Sequence, residues 1–106
     1  MKTQPDFPDV STISESVSAA CGMLKILANE DRLLILCQLS QGDKNVGELK
    51  EILGIQQPTL SQQLTVLRTE GHVTTQRRGK YIYYSLASEE ATEIIKTLFS
   101  LYCKDH

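Results

Sequence analysis

The sequence has no excess of positive charge. Eleven Lys and Arg stand against thirteen Asp and Glu, a formal net charge of −2 over 106 residues, which excludes a chain that binds nucleic acid by being basic all over. Any such affinity must come from a local cluster. There is no CxxC pair either. The three cysteines, Cys21, Cys37 and Cys103, are odd in number and widely spaced, which does not describe a secreted disulfide framework, so reduced thiols are expected. Long apolar runs are missing too. The longest aliphatic run is LLIL, and the N-terminal MKTQPDFPDVSTISE holds no apolar h-region, so neither a membrane span nor a signal peptide is read and the cytoplasm is the expected location. Internal repeats and low-complexity tracts are also absent. The hydrophobic content of 41% allows one compact domain with one modest core.

Within that frame the helical pattern is strong. Residues 1–11, with Pro5 and Pro8 among polar neighbours, read as a flexible tail, and residues 12–106 as one domain. From Thr12, the apolar residues Val17, Ala20, Cys21, Leu24, Leu27 and Ala28 recur at helical spacing, and Cys21 reads as a packing residue on that stripe. Asn29 is placed to cap a second helix, which is apolar nearly all round and therefore expected to be central. Asn45-Val46-Gly47-Glu48 has capping-box spacing and opens a short helix that should turn Leu49, Ile52 and Leu53 inward before Gly54 stops it. Pro58 then opens a further helix, over about 58–70. Two helices separated by a tight glycine turn make a helix-turn-helix. After Gly71, a segment over about 72–86 alternates around Gly79 and reads as a hairpin with Val73, Thr75, Ile82, Tyr84 and Leu86 inward. Ser88 caps a last helix, over about 88–103, whose apolar stripe is too wide for one core contact; a second copy of the chain would cover the excess.

The stretch QQPTLSQQLTVLRTEG, residues 56–71, carries a second absence. It has no acid before Glu70, where an ordinary solvated helix would mix Glu with Lys. Leu60, Leu64 and Leu67 anchor one side. Gln57, Thr59, Ser61, Gln62, Gln63, Thr65 and Arg68 take other directions, and such side chains suit base edges: Gln pairs bidentately with adenine, Ser and Thr serve several bases, and Arg takes guanine or phosphate. The hairpin tip adds Arg77, Arg78 and Lys80. Residues 56–86 therefore hold four basic side chains against one acid, a local +3 that leaves −5 for the remainder. This is the cluster that the total charge hides. The predicted architecture is mainly α with a β-hairpin wing, a winged helix-turn-helix of about five helices and two wing strands, reading double-stranded DNA.

The blocks LKILANEDRLLIL, VGELKEILGIQQPTLSQQLTVLRTEG and RRGKYIYYSL, in this order, resemble the ArsR-type winged-helix repressors over residues 17–103. The resemblance implies a homodimer built from the first and last helices, with one recognition helix in each half of a palindromic operator. Cys37 in LLILCQL and Cys103 in SLYCKDH resemble the dithiol branch of that family, the biofilm-growth and sulfide-oxidation repressors, in which the paired cysteines sense persulfides or oxidants. That implies Cys37 and Cys103 as a sensing pair, reactive sulfur species or oxidants as inducer, and no cofactor. A disulfide or longer sulfur bridge between them requires that the fold bring their β-carbons close.

Three other functions compete with this reading. An ArsR-type regulator could respond to a metal ion, or to nothing, with its cysteines structural; but VGELKEIL holds no cysteine and the last helix offers only Asp105 and His106, an incomplete set for tetrahedral zinc, so no metal site is expected. A small thiol enzyme would need a base beside its nucleophile, and neither His72 nor His106 has a spaced carboxylate partner. No enzyme is expected. A winged helix used only as a protein-interaction module is the third. It would not need the recognition-helix side chains at all.

Overall fold

A computed structural model describes residues 9–103, apart from the side chains of residues 11 and 12. Its elements run α1 (Val10–Leu27), α2 (Glu30–Leu39), β1 (Lys44–Asn45), α3 (Val46–Leu53), α4 (Gln57–Thr69), β2 (Val73–Arg78), β3 (Tyr81–Leu86) and α5 (Glu89–Tyr102). Helix α1 opens at Val10, two residues before the apolar pattern begins. Asp105 and His106 lie outside the described residues, as does most of the expected tail. Among the described residues no helix is long and apolar enough to cross a membrane.

Each helix start has a local cause. The Asn29 side chain accepts from the Arg32 backbone N–H at 3.0 Å, and Glu30 and Asp31 place negative charge in the first turn of α2, where the helix dipole favours it. Asn45 and Glu48 close a reciprocal capping box on α3, at 2.8 and 3.0 Å. Ser88 Oγ accepts from the Ala91 N–H at 3.0 Å to start α5. Gly54 ends α3 at φ 71°, a left-handed conformation that costs a residue with a β-carbon about 1–2 kcal/mol, and so turns the chain directly into α4.

The core lies where α2, α4 and α5 meet. Ile35 and Leu36 from α2, Leu49 from α3, Leu60, Leu64 and Leu67 from α4, Val73 from β2 and Ile95 from α5 are all fully buried. The near-continuous apolar surface of α2 follows from its position between neighbours, although Leu34 stays on the outside. Two inward expectations fail in α3 and the wing. Ile52 is 51% exposed because the two-turn α3 faces the core through Leu49 and Leu53, leaving the residue between them at the rim. Ile82 is 40% exposed because it pairs with Arg77 next to the wing tip, beyond the helices on which the sheet packs.

The wing is also wider than expected. Its sheet has three strands in the order β1-β3-β2, with β1 antiparallel to β3 through Lys44↔Tyr84 and Asn45↔Tyr83. A two-residue strand carries no alternation to read, and Asn45 is already visible in the sequence as a cap. Helix α1 reaches the core near its C-terminal end, through Met23, Ile26 and Leu27. Val17, Ala20, Cys21 and Leu24 are exposed, so Cys21, expected to be a packing residue on this stripe, is not buried by the described residues of its own chain.

Candidate nucleic-acid interface and thiol pair

Helix α4 is held from behind and bare in front. Leu60, Leu64 and Leu67 lock its inner face, so its roll about its own axis is set by the core. That leaves Gln57, Ser61, Gln62, Thr65 and Arg68 exposed, with Thr59 and Gln63 half-buried. Gln57, Ser61, Thr65 and Arg68 recur at i, i+4, i+8 and i+11 and form one polar ridge. Thr65 donates its hydroxyl proton to the Ser61 carbonyl at 2.9 Å, which leaves the oxygen lone pairs pointing outward as acceptors. No side chain caps the N-terminus of α4 and no acid lies in its first turn, so its first backbone N–H groups remain available to an anion.

Gln63 is different. Its side-chain oxygen accepts from Arg32 Nη1 at 2.9 Å, while Arg32 Nε donates to the Ile26 carbonyl at 2.9 Å and Nη2 to the Lys25 carbonyl at 3.3 Å. One guanidinium thus closes the open C-terminal carbonyls of α1 and ties them to the recognition helix. Gln63, expected among the base readers, is partly committed to this link. Arg32 lies 31 residues from Gln63, and no periodicity in the sequence joins them.

At the wing, Arg77 and Lys80 are exposed near the tip. Arg77 Nε donates to the Gly79 carbonyl at 3.2 Å, which leaves the rest of its fork outward. Arg78 is engaged: its Nη2 lies 2.7 Å from the Asp43 carboxylate, and its guanidinium stacks 4.7 Å from the Tyr83 ring centroid. The Ser85 hydroxyl, then the Arg78 guanidinium, hold the Asp43 carboxyl below its ordinary range. Of the three wing cations, Arg77 and Lys80 are therefore exposed near the tip and Arg78 is a clamp.

The thiols lie at a second place. A cavity of about 500 Å³ between α2 and α5 carries both Cys37 and Cys103 on its walls, with Leu33, Leu98 and Phe99 around them. Cys37 is half-buried and Cys103 exposed. Burial, and after it the neighbouring Cys103, push the Cys37 thiol up, so it holds its proton more firmly than an ordinary cysteine does. Cys21 is not on this cavity. Lys104, the residue that follows Cys103, lies outside the described residues. His72 is buried at the α4–β2 junction and lines a separate cavity of about 730 Å³ that holds no cysteine. Among the described residues no group of three or more His, Cys, Asp or Glu could hold a metal ion.

A core-locked helix with a bare polar ridge, preceded by a capped helix and a glycine turn and followed by a basic three-stranded wing, defines a winged helix-turn-helix DNA reader. Residues 29–75 match the family described as "Bacterial regulatory protein, arsR family". The chain is 49% identical over 81 residues to the biofilm growth-associated repressor of Agrobacterium fabrum, covering 76% of this chain and 69% of that protein. It is 38% identical over 96 residues to the transcriptional activator HlyU of Vibrio cholerae, covering 91% and 89%. Among solved structures, reduced HlyU from Vibrio cholerae superposes with a TM-score of 0.85 at 38% identity, over 90% of this chain and all of that one. The repressor BigR from Xylella fastidiosa gives 0.84 at 37%, over 92% and 100%. The chain belongs to the arsR family of bacterial transcriptional regulators. Relatives and fold alike are those of DNA-binding regulators and not of enzymes.

Proposed function

We propose that this regulator is a cytoplasmic homodimeric repressor that holds a palindromic operator while its thiols are reduced and releases it when Cys37 and Cys103 are joined. The observation that carries the reading is the shared cavity: two cysteines 66 residues apart in sequence line one space between α2 and α5. The polar side chains of α4, Gln57, Thr59, Ser61, Gln62, Thr65 and Arg68, read bases, and Arg77 and Lys80 take phosphate on the flank.

The chemistry needs no group beyond the two thiols and the inducer. Cys103 is exposed and Cys37 is pushed up by burial, so Cys103 attacks first. Its thiolate takes the terminal sulfur of a persulfide R–S–SH and R–S⁻ leaves, giving Cys103–S–SH. The Cys37 thiolate then attacks the sulfur bonded to Cys103, and HS⁻ leaves, giving the disulfide. With a peroxide R–O–OH the first step gives Cys103–S–OH and R–O⁻, which takes up a proton; the second expels hydroxide. Either bridge pulls α5 against α2, and α2 carries Arg32, which grips α4 through Gln63. The bridge thus acts on the helix that sets the pose of the recognition ridge.

The test is direct. Reduced protein is used to select an operator from a random duplex pool, and its affinity is measured before and after persulfide treatment by fluorescence anisotropy. Weakening that dithiothreitol reverses, and that is absent in Cys37→Ser and Cys103→Ser, supports the proposal. Equal weakening in both variants assigns the effect to another site and rejects it.

A further inference from the structure

The cavity between α2 and α5 is far larger than sulfur transfer alone requires. Joining two thiols needs their β-carbons only about 4 Å apart, and a water-sized reagent occupies about 30 Å³. The space beside Cys37 and Cys103 is about 500 Å³, within the range of about 300–1,000 Å³ that holds a whole organic ligand. Its walls are one-sided in chemistry. Leu33, Leu34, Leu98 and Phe99 contribute hydrocarbon, and Glu30 is the one carboxylate among its lining residues. Among the described residues no Lys or Arg lines it, and the charge that a carboxylate brought in with the reagent meets there is that of Glu30.

We propose that the cavity chooses the inducer by its organic body: the preferred reagent is a persulfide R–S–SH whose R is an uncharged alkyl or aryl group seated against Leu33, Leu98 and Phe99. This rests on the thiol-switch reading above. Seating R there holds the terminal sulfur beside the thiols while the hydrocarbon leaves water, and each methylene so buried raises occupancy about fourfold. After Cys103 takes the terminal sulfur, R–S⁻ departs with the body, and the cavity is free to close as Cys37 expels HS⁻. Glutathione persulfide carries two carboxylates on its body and is disfavoured twice, by lost burial and by Glu30.

The experiment uses the full chain with Cys21→Ser, so that only two thiols remain. Rates of Cys37–Cys103 bridging are read by quenched-flow mass spectrometry with benzyl persulfide and with glutathione persulfide. Each rate is divided by that of the same reagent with N-acetylcysteine, which removes intrinsic reactivity. The expected result is a normalised preference for benzyl persulfide of about tenfold or more, two or more buried methylene equivalents. Leu34→Glu, at a rim position already 46% exposed, should slow the benzyl reagent, and Glu30→Lys should speed the glutathione one. Equal normalised rates, unmoved by both variants, overturn the selectivity and leave the thiol switch standing. Absence of a Cys37–Cys103 bridge with either reagent overturns the switch, and this inference with it.

Discussion

Arg32 binds three acceptors on two other helices, and its planar fork is what lets one side chain do so. Hydrogen bonds from a charged group contribute about 1.5–3 kcal/mol each at most, and of these two are part-buried and the one to Lys25 is exposed. Arg32→Ala should therefore destabilise the fold by about 1–3 kcal/mol in urea unfolding, and Arg32→Lys should fail to restore it. Arg78 makes a different prediction. Because Asp43 holds it, it contributes less to DNA binding than Arg77 does. Each phosphate contact contributes about 0.9 to the slope of log affinity against log salt. On duplex DNA, Arg77→Ala should lower that slope by nearly this amount, Arg78→Ala by clearly less, and Asp43→Asn should raise it. Equal losses for the two arginines would refute the clamp. Asp43 is held low by Ser85 and Arg78, so the clamp is intact above the ordinary Asp pKa of about 3.9 and is lost as pH falls through the depressed value. Neutral-pH measurements report the clamped state. Cys37 shifts the opposite way: in Cys21→Ser/Cys103→Ser protein its alkylation should need a higher pH than free cysteine does. Removing Cys103 takes away only the smaller cause.

Among the elements, α4 and the turn before it bear the most. Leu64 is 1% exposed on the inner face of α4, and Leu64→Ala should cost about 2–5 kcal/mol in the same unfolding assay. Gly54→Ala meets no neighbour within 4 Å, so its cost should be the conformational one alone, about 1–2 kcal/mol. Both features were legible in the sequence: leucines at i, i+4 and i+7, and a glycine just past a capped helix, follow from local geometry. So were the caps at Asn29, Asn45 and Ser88, whose partners lie three residues away. The clamp on Arg78 and the tether on Gln63 were not, because Asp43 lies 35 residues and Arg32 31 residues from their partners. Periodicity also marks which side of an element is apolar without saying what covers it. That is why Cys21 on α1 and Ile82 near the wing tip are exposed, although both sit on apolar stripes.

At the scale of the molecule, the helices at the two ends of the chain leave apolar surface uncovered: Val17 and Leu24 on α1, Leu101 and Tyr102 on α5. A twofold partner that buries both would also set the spacing of two α4 ridges across a palindrome. Leu24→Glu combined with Leu101→Glu changes only exposed positions, so the chain should still fold. Sedimentation should then report a monomer, with operator affinity lower by about a hundredfold as the second half-site is lost. A dimer that survives both changes would place the interface elsewhere. The dimer is also what would give two thiols in one subunit leverage over DNA, since a change in either α5 alters the distance between two readers.

The most direct measurement of the central claim is operator affinity of the Cys21→Ser protein, in one sample, before and after the Cys37–Cys103 bridge is formed to completion by mass. The account predicts a fall within the range of about 5- to 150-fold that coupled sites commonly show, with full recovery on reduction. A completely bridged, folded dimer that binds as tightly as the reduced one would contradict it.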